Sequence, residues 1–304
     1  MLWLYITLAS YLFFALASIA DRILLAGPLQ HPRAYAFYTS ITGVVAIFFI
    51  PFGFDIPSNK IILLSFLAGA AGVASLYFLY LAIFEGHIST AAPSVGALIP
   101  IFTLVLSYFL AGERIYITIN GILALALLVV GTLMLSLHFK KKMPLFLSRR
   151  NMYLAASAAF LFALSTVLSK LIFIDTGFIN GFIWMRMGGV ILAFLLLLSR
   201  QTRRIVFKSN PIKEKAVLIT FSWGKGAGGA AFLLQSYAIN LASFLQVTFI
   251  NALAGVQYAF ILIAALAISF KHPKILKEEF TKASILERSL GILLITVGLW
   301  LLIK

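Results

Sequence analysis

Two basic residues stand where an apolar chain has little use for them. Lys225 lies within FSWGKGAGGA (221–230) and Arg186 within FIWMRMGGVI (182–191), and both stretches belong to long apolar runs. On spanning helices each would sit eight or nine residues in, roughly 12–13 Å from the helix start and close to the bilayer centre. A cation there costs about 2.5–3.5 kcal/mol on insertion scales, so it needs a wet cavity or a partner. Snorkelling serves helix ends, which neither residue occupies. An internal ion pair needs an acid, and Asp21, Glu85 and Asp175 are the nearest to hand, all close to the ends of apolar runs. Two cations without acids beside them suit an anionic ligand. Arg grips a carboxylate or phosphate through two parallel hydrogen bonds, and Lys acts as a point charge.

The flanking residues are those a polar cavity would use. At 100° per residue, Lys225, Gly229, Phe232 and Ser236 share one helix face. Gly224, Gly226, Gly228 and Gly229 carry no bulk, so a substrate or a neighbouring helix can approach the backbone. Further along, Gln246 and Gln257 fall on one face eleven residues apart, with Asn251 to the side. Amides in hydrocarbon need partners, which a cavity or an interhelical hydrogen bond would supply. Tyr77, Tyr80, Trp184 and Tyr237, with Trp223, offer apolar faces and polar tips to the same space; packing is the competing role for each. The expected substrate-binding set is therefore Lys225, Arg186, Trp184, Tyr237, Gln246, Asn251, Gln257, Tyr77 and Tyr80.

A second set concerns gating or coupling. Asp21 and Glu85 are the acids near the first-half spans that could take up a driving proton. Asp21 adjoins Arg22, which makes an interfacial pair the competing role. Glu85-Gly86 also reads as a turn. Pro93 and Pro100 lie seven residues apart on one face of a helix, where each removes a backbone hydrogen bond and favours a bend.

Other chemistries find no support. GKGAGG lacks the strand-to-helix setting and the spacing of a phosphate loop. His31, His87, His138 and His272 are scattered and form no metal-spaced pair, and the chain has no cysteine. No catalytic residue, metal site or cofactor is expected. The net charge of +15 would suit a nucleic-acid partner on a soluble protein, but the basic residues cluster between apolar segments, so the expected partners are the lipid bilayer and a small molecule.

The chain that must position these groups has 304 residues, 62% hydrophobic and 11% charged, with a mean hydropathy of +1.06. That leaves too little charged surface for a soluble domain of this size. Apolar segments of spanning length fall at about 3–26, 34–52, 61–84, 90–111, 115–137, 152–173, 178–198, 216–239, 244–269 and 285–303. They predict an all-α integral membrane protein of ten transmembrane helices. The first long basic loop, 140–150, separates two similar halves, 1–139 and 151–304. ADRILL (20–25) answers LSKLIF (168–173), and GAAGVASLYFLYLAI (69–83) answers KGAGGAAFLLQSYAI (225–239). With five spans per copy, the second must be inverted relative to the first, an architecture of secondary transporters.

YLAIFEGHISTAAPSVGALIPIFTLVLSYFLAGER (80–114) resembles the drug/metabolite transporter superfamily, in particular its EamA-type ten-helix members. Glu85-Gly86, Pro93, Pro100 and Gly112-Glu113-Arg114 match that pattern. In the second half FINALAGVQYAF lacks the proline and the turn before the last helix is longer. The resemblance implies transport of a small metabolite across a bacterial or archaeal cytoplasmic membrane by alternating access. It also implies termini on the cytoplasmic side, whereas the charge count says the reverse. Eighteen of the 24 basic residues lie on the side opposite the termini, and Lys and Arg favour the cytoplasm. Rival classes are a flippase for a phosphate-bearing lipid-linked or nucleotide-sugar substrate, a membrane enzyme and a scaffold. A proton or substrate gradient is the expected drive.

Overall fold

In the computed structural model, residues 1–26, 32–85, 88–111, 116–136, 149–209, 214–271 and 282–303 are described. Among these there is no strand. The elements are α1 (Leu2–Ala26), α2 (Pro32–Ile41, continuing as a 3-10 stretch Thr42–Phe52), α3 (Asn59–Glu85), α4 (Ile88–Leu110), α5 (Ile119–Ser136) and α6 (Arg149–Thr176). They continue with α7 (Phe178–Leu196), a short α8 (Arg200–Arg203) opening into a π turn (Arg204–Ser209), α9 (Lys215–Leu241), α10 (Phe244–Ala252), α11 (Ala254–Lys271) and α12 (Lys282–Ile303). Among the described residues seven helical segments are long and apolar enough to cross a membrane, and 94–110, 119–135 and 289–303 are shorter apolar helices. The outward faces carry Phe48, Leu63, Phe109, Tyr153 and Trp300, the surface a helical bundle presents to hydrocarbon. The described residues form an all-helical architecture whose long apolar helices fit a membrane.

Local chemistry sets the helix ends. Gly177, at φ +73°, takes the left-handed conformation that closes α6, and its N–H reaches the Phe173 carbonyl at 3.1 Å. Ser243 caps α10 with a reciprocal pair: its hydroxyl accepts from Gln246 N–H, and the Gln246 side chain accepts from Ser243 N–H. Gln246 is thus a helix cap, its side-chain carbonyl oxygen accepting from the Ser243 N–H.

Small residues set the helix crossings. α1 runs antiparallel along α9, with Ala20 against Gly224 and Ala17 against Gly228. A Cβ at Gly224 would come within 2.4 Å of the Ala20 Cβ, so this glycine buys close backbone approach. α3 meets α7 more tightly still: a Cβ at Gly69 would lie 2.0 Å from the Met185 carbonyl oxygen. α3 also packs along α6, α5 along α12, and α4 along α6. α9 reaches α2 through side chains, Lys225 on Tyr35 and Phe221 edge-on to Tyr38 at 6.1 Å.

The helix interruption falls where no proline is. α4 is assigned helical through both Pro93 and Pro100, and Pro100 is buried. The ninth apolar segment instead breaks at Leu253, between α10 and α11. Beside the break the Ile250 carbonyl accepts the Tyr11 hydroxyl at 2.7 Å. A partner from α1 thus serves a carbonyl at the end of the α10 ladder.

Candidate functional site

Lys225 is not left without an acid. Its Nζ lies 2.9 Å from Asp21 Oδ1 and donates a second hydrogen bond, 3.1 Å long, to the Tyr35 hydroxyl. Tyr35 in turn donates to Asp21 Oδ1, closing a triangle between α1, α2 and α9. The ammonium also rests 4.5 Å from the Tyr35 ring centroid, and Tyr80 of α3 packs edge-on against Tyr35 at 5.0 Å. The expectation of an uncompensated lysine is corrected here. The acid is 204 residues away in sequence, and antiparallel packing of α1 on α9 brings it alongside. Asp21 therefore turns to Lys225, and Tyr80 supports the triangle from behind.

Arg186 is different. It sits nine residues into α7, and its guanidinium carbon lies 3.6 Å from the Phe232 ring centroid and 5.4 Å from that of Phe182. The side chain runs past Gly43 of the 3-10 stretch, where a Cβ would be 3.7 Å from the Arg186 Cδ. Among the described residues it makes no hydrogen bond and no ion pair. Two aromatic faces supply part of the attraction a cation needs. They offer no acceptor for its five N–H donors. Phe182 continues into an aromatic group with Phe49, Phe178 and, through Phe178, Tyr237.

The face shared by Lys225, Gly229 and Phe232 joins the two cations along α9. A Cβ at Gly229 would meet nothing within 4 Å, and the same is true of Gly226. The glycines of this helix therefore divide: Gly224 and Gly228 receive α1, whereas Gly226 and Gly229 border open space.

The remaining expected site residues disperse. Gln257 donates to Ser18 of α1 at 2.8 Å, and Asn251 donates to Thr103 of α4 at 2.8 Å, its own buried carbonyl oxygen having no partner among the described residues. These amides tie α10 and α11 to different neighbours, which corrects the expectation of one shared wall. Trp184 stacks on Phe54 and donates to the Asp55 carbonyl at 3.0 Å, so it anchors the loop before α3. Tyr77 accepts from Arg33 at 3.2 Å, away from Lys225. Tyr237 is edge-on to Phe178, at the border of the Arg186 aromatic group. The side chains of Glu85 and Pro93 lie outside the described residues.

Several functional neighbours carried no sequence signal. Tyr35 stands three residues after Pro32 and 190 residues from Lys225, and Phe182 and Phe232 are two of 28 phenylalanines. The buried bond from Gln235 to the Tyr11 hydroxyl, 3.4 Å, was equally unmarked. The antiparallel α1–α9 register relates Tyr11 to Gln235, while Tyr35 and Phe182 reach α9 from α2 and α7.

No protein-family profile and no curated protein matches this sequence. Solved structures do match in fold. One, described only as "Crystal structure of protein", superposes with a TM-score of 0.70 over 98% of this chain and 94% of its own, at 17% identity. At that identity the likeness shows that the chain shares a fold with a known structure, and the fold alone.

Proposed function

We propose that this chain is a secondary transporter of the cytoplasmic membrane, an EamA-type member of the drug/metabolite transporter superfamily, without catalytic chemistry of its own. Ten spans form two inverted five-helix halves, 1–139 and 151–304, joined by the basic linker 140–150. Helix pairing supports this arrangement. Exchanging α1 with α6, α3 with α9 and α5 with α12 turns the α1–α9 contact into the α6–α3 contact and returns the α5–α12 contact to itself.

The cargo is a small anionic metabolite, a carboxylate such as an amino acid or organic acid. One observation carries this reading. Arg186 lies mid-helix with aromatic faces beside it and, among the described residues, no acceptor for its donors. A carboxylate meeting it would satisfy two parallel donors at once and replace the solvation lost on burial. The open side of Gly229 gives that cargo room on α9, and Lys225 with Asp21 and Tyr35 is the coupling element. The acid that holds Lys225 is also the group a proton would discharge, which frees the lysine to face the cargo.

The test is uptake into proteoliposomes from a labelled library of amino acids, organic acids and nucleotide sugars, with and without a pH gradient. Wild type should concentrate at least one carboxylate. Arg186→Gln should lose that uptake by about a hundredfold, the scale of a lost charge-assisted pair. Asp21→Asn should abolish its dependence on the pH gradient. Arg186→Gln protein that transports like wild type would sink the assignment.

A further inference from the structure

Laid over one another, the two halves share their contacts at two helix seams and differ at a third. The matches of 20–25 with 168–173 and of 69–83 with 225–239 fix offsets of 148 between α1 and α6 and 156 between α3 and α9. At those offsets Ala17 and Gly228 answer Ser165 and Gly72, and both pairs touch. A Cβ at Gly228 would lie 3.5 Å from the Ala17 Cβ, and one at Gly72 3.1 Å from the Ser165 hydroxyl. The α5–α12 seam answers itself: ALALLVVG (124–131) matches GILLITVG (291–298) at an offset of 167. A Cβ at Gly131 would meet the Gly291 carbonyl at 2.9 Å, and one at Gly298 the Ala124 carbonyl at 3.2 Å.

The third seam is sealed in one half and parted in the other. GGVILAF (188–194) of α7 matches TGVVAIF (42–48) of the 3-10 stretch that continues α2, at an offset of 146. α7 lies backbone against backbone on α3. A Cβ at Gly188 would come 2.5 Å from the Phe66 Cα, one at Gly69 2.0 Å from the Met185 carbonyl oxygen, and one at Gly189 3.3 Å from Val73. The corresponding pairs across α2 and α9 are Thr42 with Ser222, Thr39 with Lys225, and Gly43 with Gly229. There Ser222 is exposed, and a Cβ at Gly229 would meet nothing within 4 Å. Two differences account for the gap. Lys225 stands where Gly69 makes its closest approach, and no side chain fits that spacing. The chain also changes from α to 3-10 winding at Thr42, whereas α7 is regular to Leu196, and such a change within a span often marks a hinge. Arg186 borders this gap on both sides: a Cβ at Gly43 would lie 3.7 Å from its Cδ, and its guanidinium rests on Phe232 of α9.

We infer that the α2–α9 seam is the gate through which cargo reaches Arg186, parted here while its counterpart α3–α7 is sealed, and that the two exchange states as cargo crosses. This rests on the transporter reading above and names the moving parts of that same site. With the halves inverted, the two seams serve opposite sides of the membrane. Thr42 and Gly43 are the bend. Lys225, held by Asp21 and Tyr35, is the spacer that keeps α9 from settling on α2 as closely as α3 settles on α7.

The chain has no cysteine, so an engineered pair reports alone. Thr42→Cys/Ser222→Cys corresponds to Gly188 and Phe66, and closure of α9 on α2 brings the two Cα atoms within about 4.4–6.8 Å, the reach of a disulfide. Full-length protein in proteoliposomes is oxidised with copper phenanthroline, the disulfide is read by mass spectrometry, and uptake of the labelled carboxylate library is measured before oxidation, after it, and after reduction. The disulfide should form, and the oxidised protein should lose an uptake that reduction restores. Thr42→Cys/Trp223→Cys is the control and should stay reduced, because the counterpart of Trp223, Leu67, is 50% exposed outside the sealed seam. Gly69→Ala, which forces α3 off α7, should speed the first disulfide about tenfold, and Lys225→Gly, which restores the glycine of the counterpart, should act in the same direction. Lys225→Gly decides the matter if Gly69→Ala does not fold. No disulfide at Thr42 and Ser222, an equal rate in the control pair, or unchanged rates in both backgrounds would overturn the proposal. Uptake that survives complete oxidation would overturn the gate and leave the transporter reading standing. A disulfide with the expected responses, in protein that takes up no carboxylate, would overturn the transporter reading and with it the cargo's route, though not the motion.

Discussion

Lys225 and Arg186 both lie well inside long helices, α9 and α7, and their surroundings answer the two charges differently. Lys225 has a carboxylate at 2.9 Å and a tyrosine hydroxyl at 3.1 Å, supplied by α1 and α2. Arg186 has Phe232 and Phe182 and, among the described residues, no acid. The pair, with Tyr35, joins three helices and is costly to break by removing either partner, and under the proposed function a proton on Asp21 is what opens it. A guanidinium stacked on aromatic rings retains its hydrogen-bonding capacity for something else. Sequence position makes the two residues look alike; their surroundings clamp one to a carboxylate and give the other, among the described residues, aromatic faces.

The comparison breaks most sharply through stability. Asp21→Asn leaves the Lys225 ammonium without its counter-charge and should destabilise the protein by about 3 kcal/mol, somewhat less for a carboxylate that is partly exposed. Thermal unfolding in detergent, followed by tryptophan fluorescence, measures this. Arg186→Gln should be neutral or stabilising in the same assay, since it removes a half-buried charge that, among the described residues, has no acid to strand. If both variants lose equal stability, the two cations are equivalent after all.

A smaller effect tests the clamp itself. The double variant Asp21→Asn/Lys225→Gln should recover about 2 kcal/mol relative to the sum of the single changes, the range expected for residues in direct contact. Additive losses would show that the pair does not couple. The glycines of α9 sharpen the picture further. Gly224→Ala must displace Ala20 and should cost about 1–2 kcal/mol by overpacking, whereas Gly229→Ala has space and should leave stability unchanged. Tyr35→Phe removes one hydroxyl from the triangle but keeps the ring under Lys225, for an expected loss near 1 kcal/mol. Denaturant titration of each variant, in one detergent, ranks these costs.

How far the sequence reached depends on whether a property is local. Segment lengths were legible because a spanning helix needs a continuous apolar run, and Leu2–Ala26, Asn59–Glu85 and Lys215–Leu241 begin and end within a few residues of the runs that predict them. The capping role of Gln246 was available in principle, since Ser243 stands three residues before it, but its amide drew attention to a cavity instead. The interruption at Leu253 was not available, because prolines at 93 and 100 pointed to the other helix. A partner from α1, through Tyr11, accompanies the break.

Composition and apolar period, by themselves, determined that this chain is helical, that its helices are long and apolar enough to fit a membrane, and that two cations lie well inside apolar segments. Those properties follow from single residues and their near neighbours. The tertiary structure alone decided which cation is answered. Asp21 and Lys225 are 204 residues apart, and only the antiparallel seating of α1 on α9, fixed by Ala20 against Gly224, sets one beside the other. Pairing at that range depends on which helix faces meet, a property of the whole packed bundle that no local stretch of sequence records.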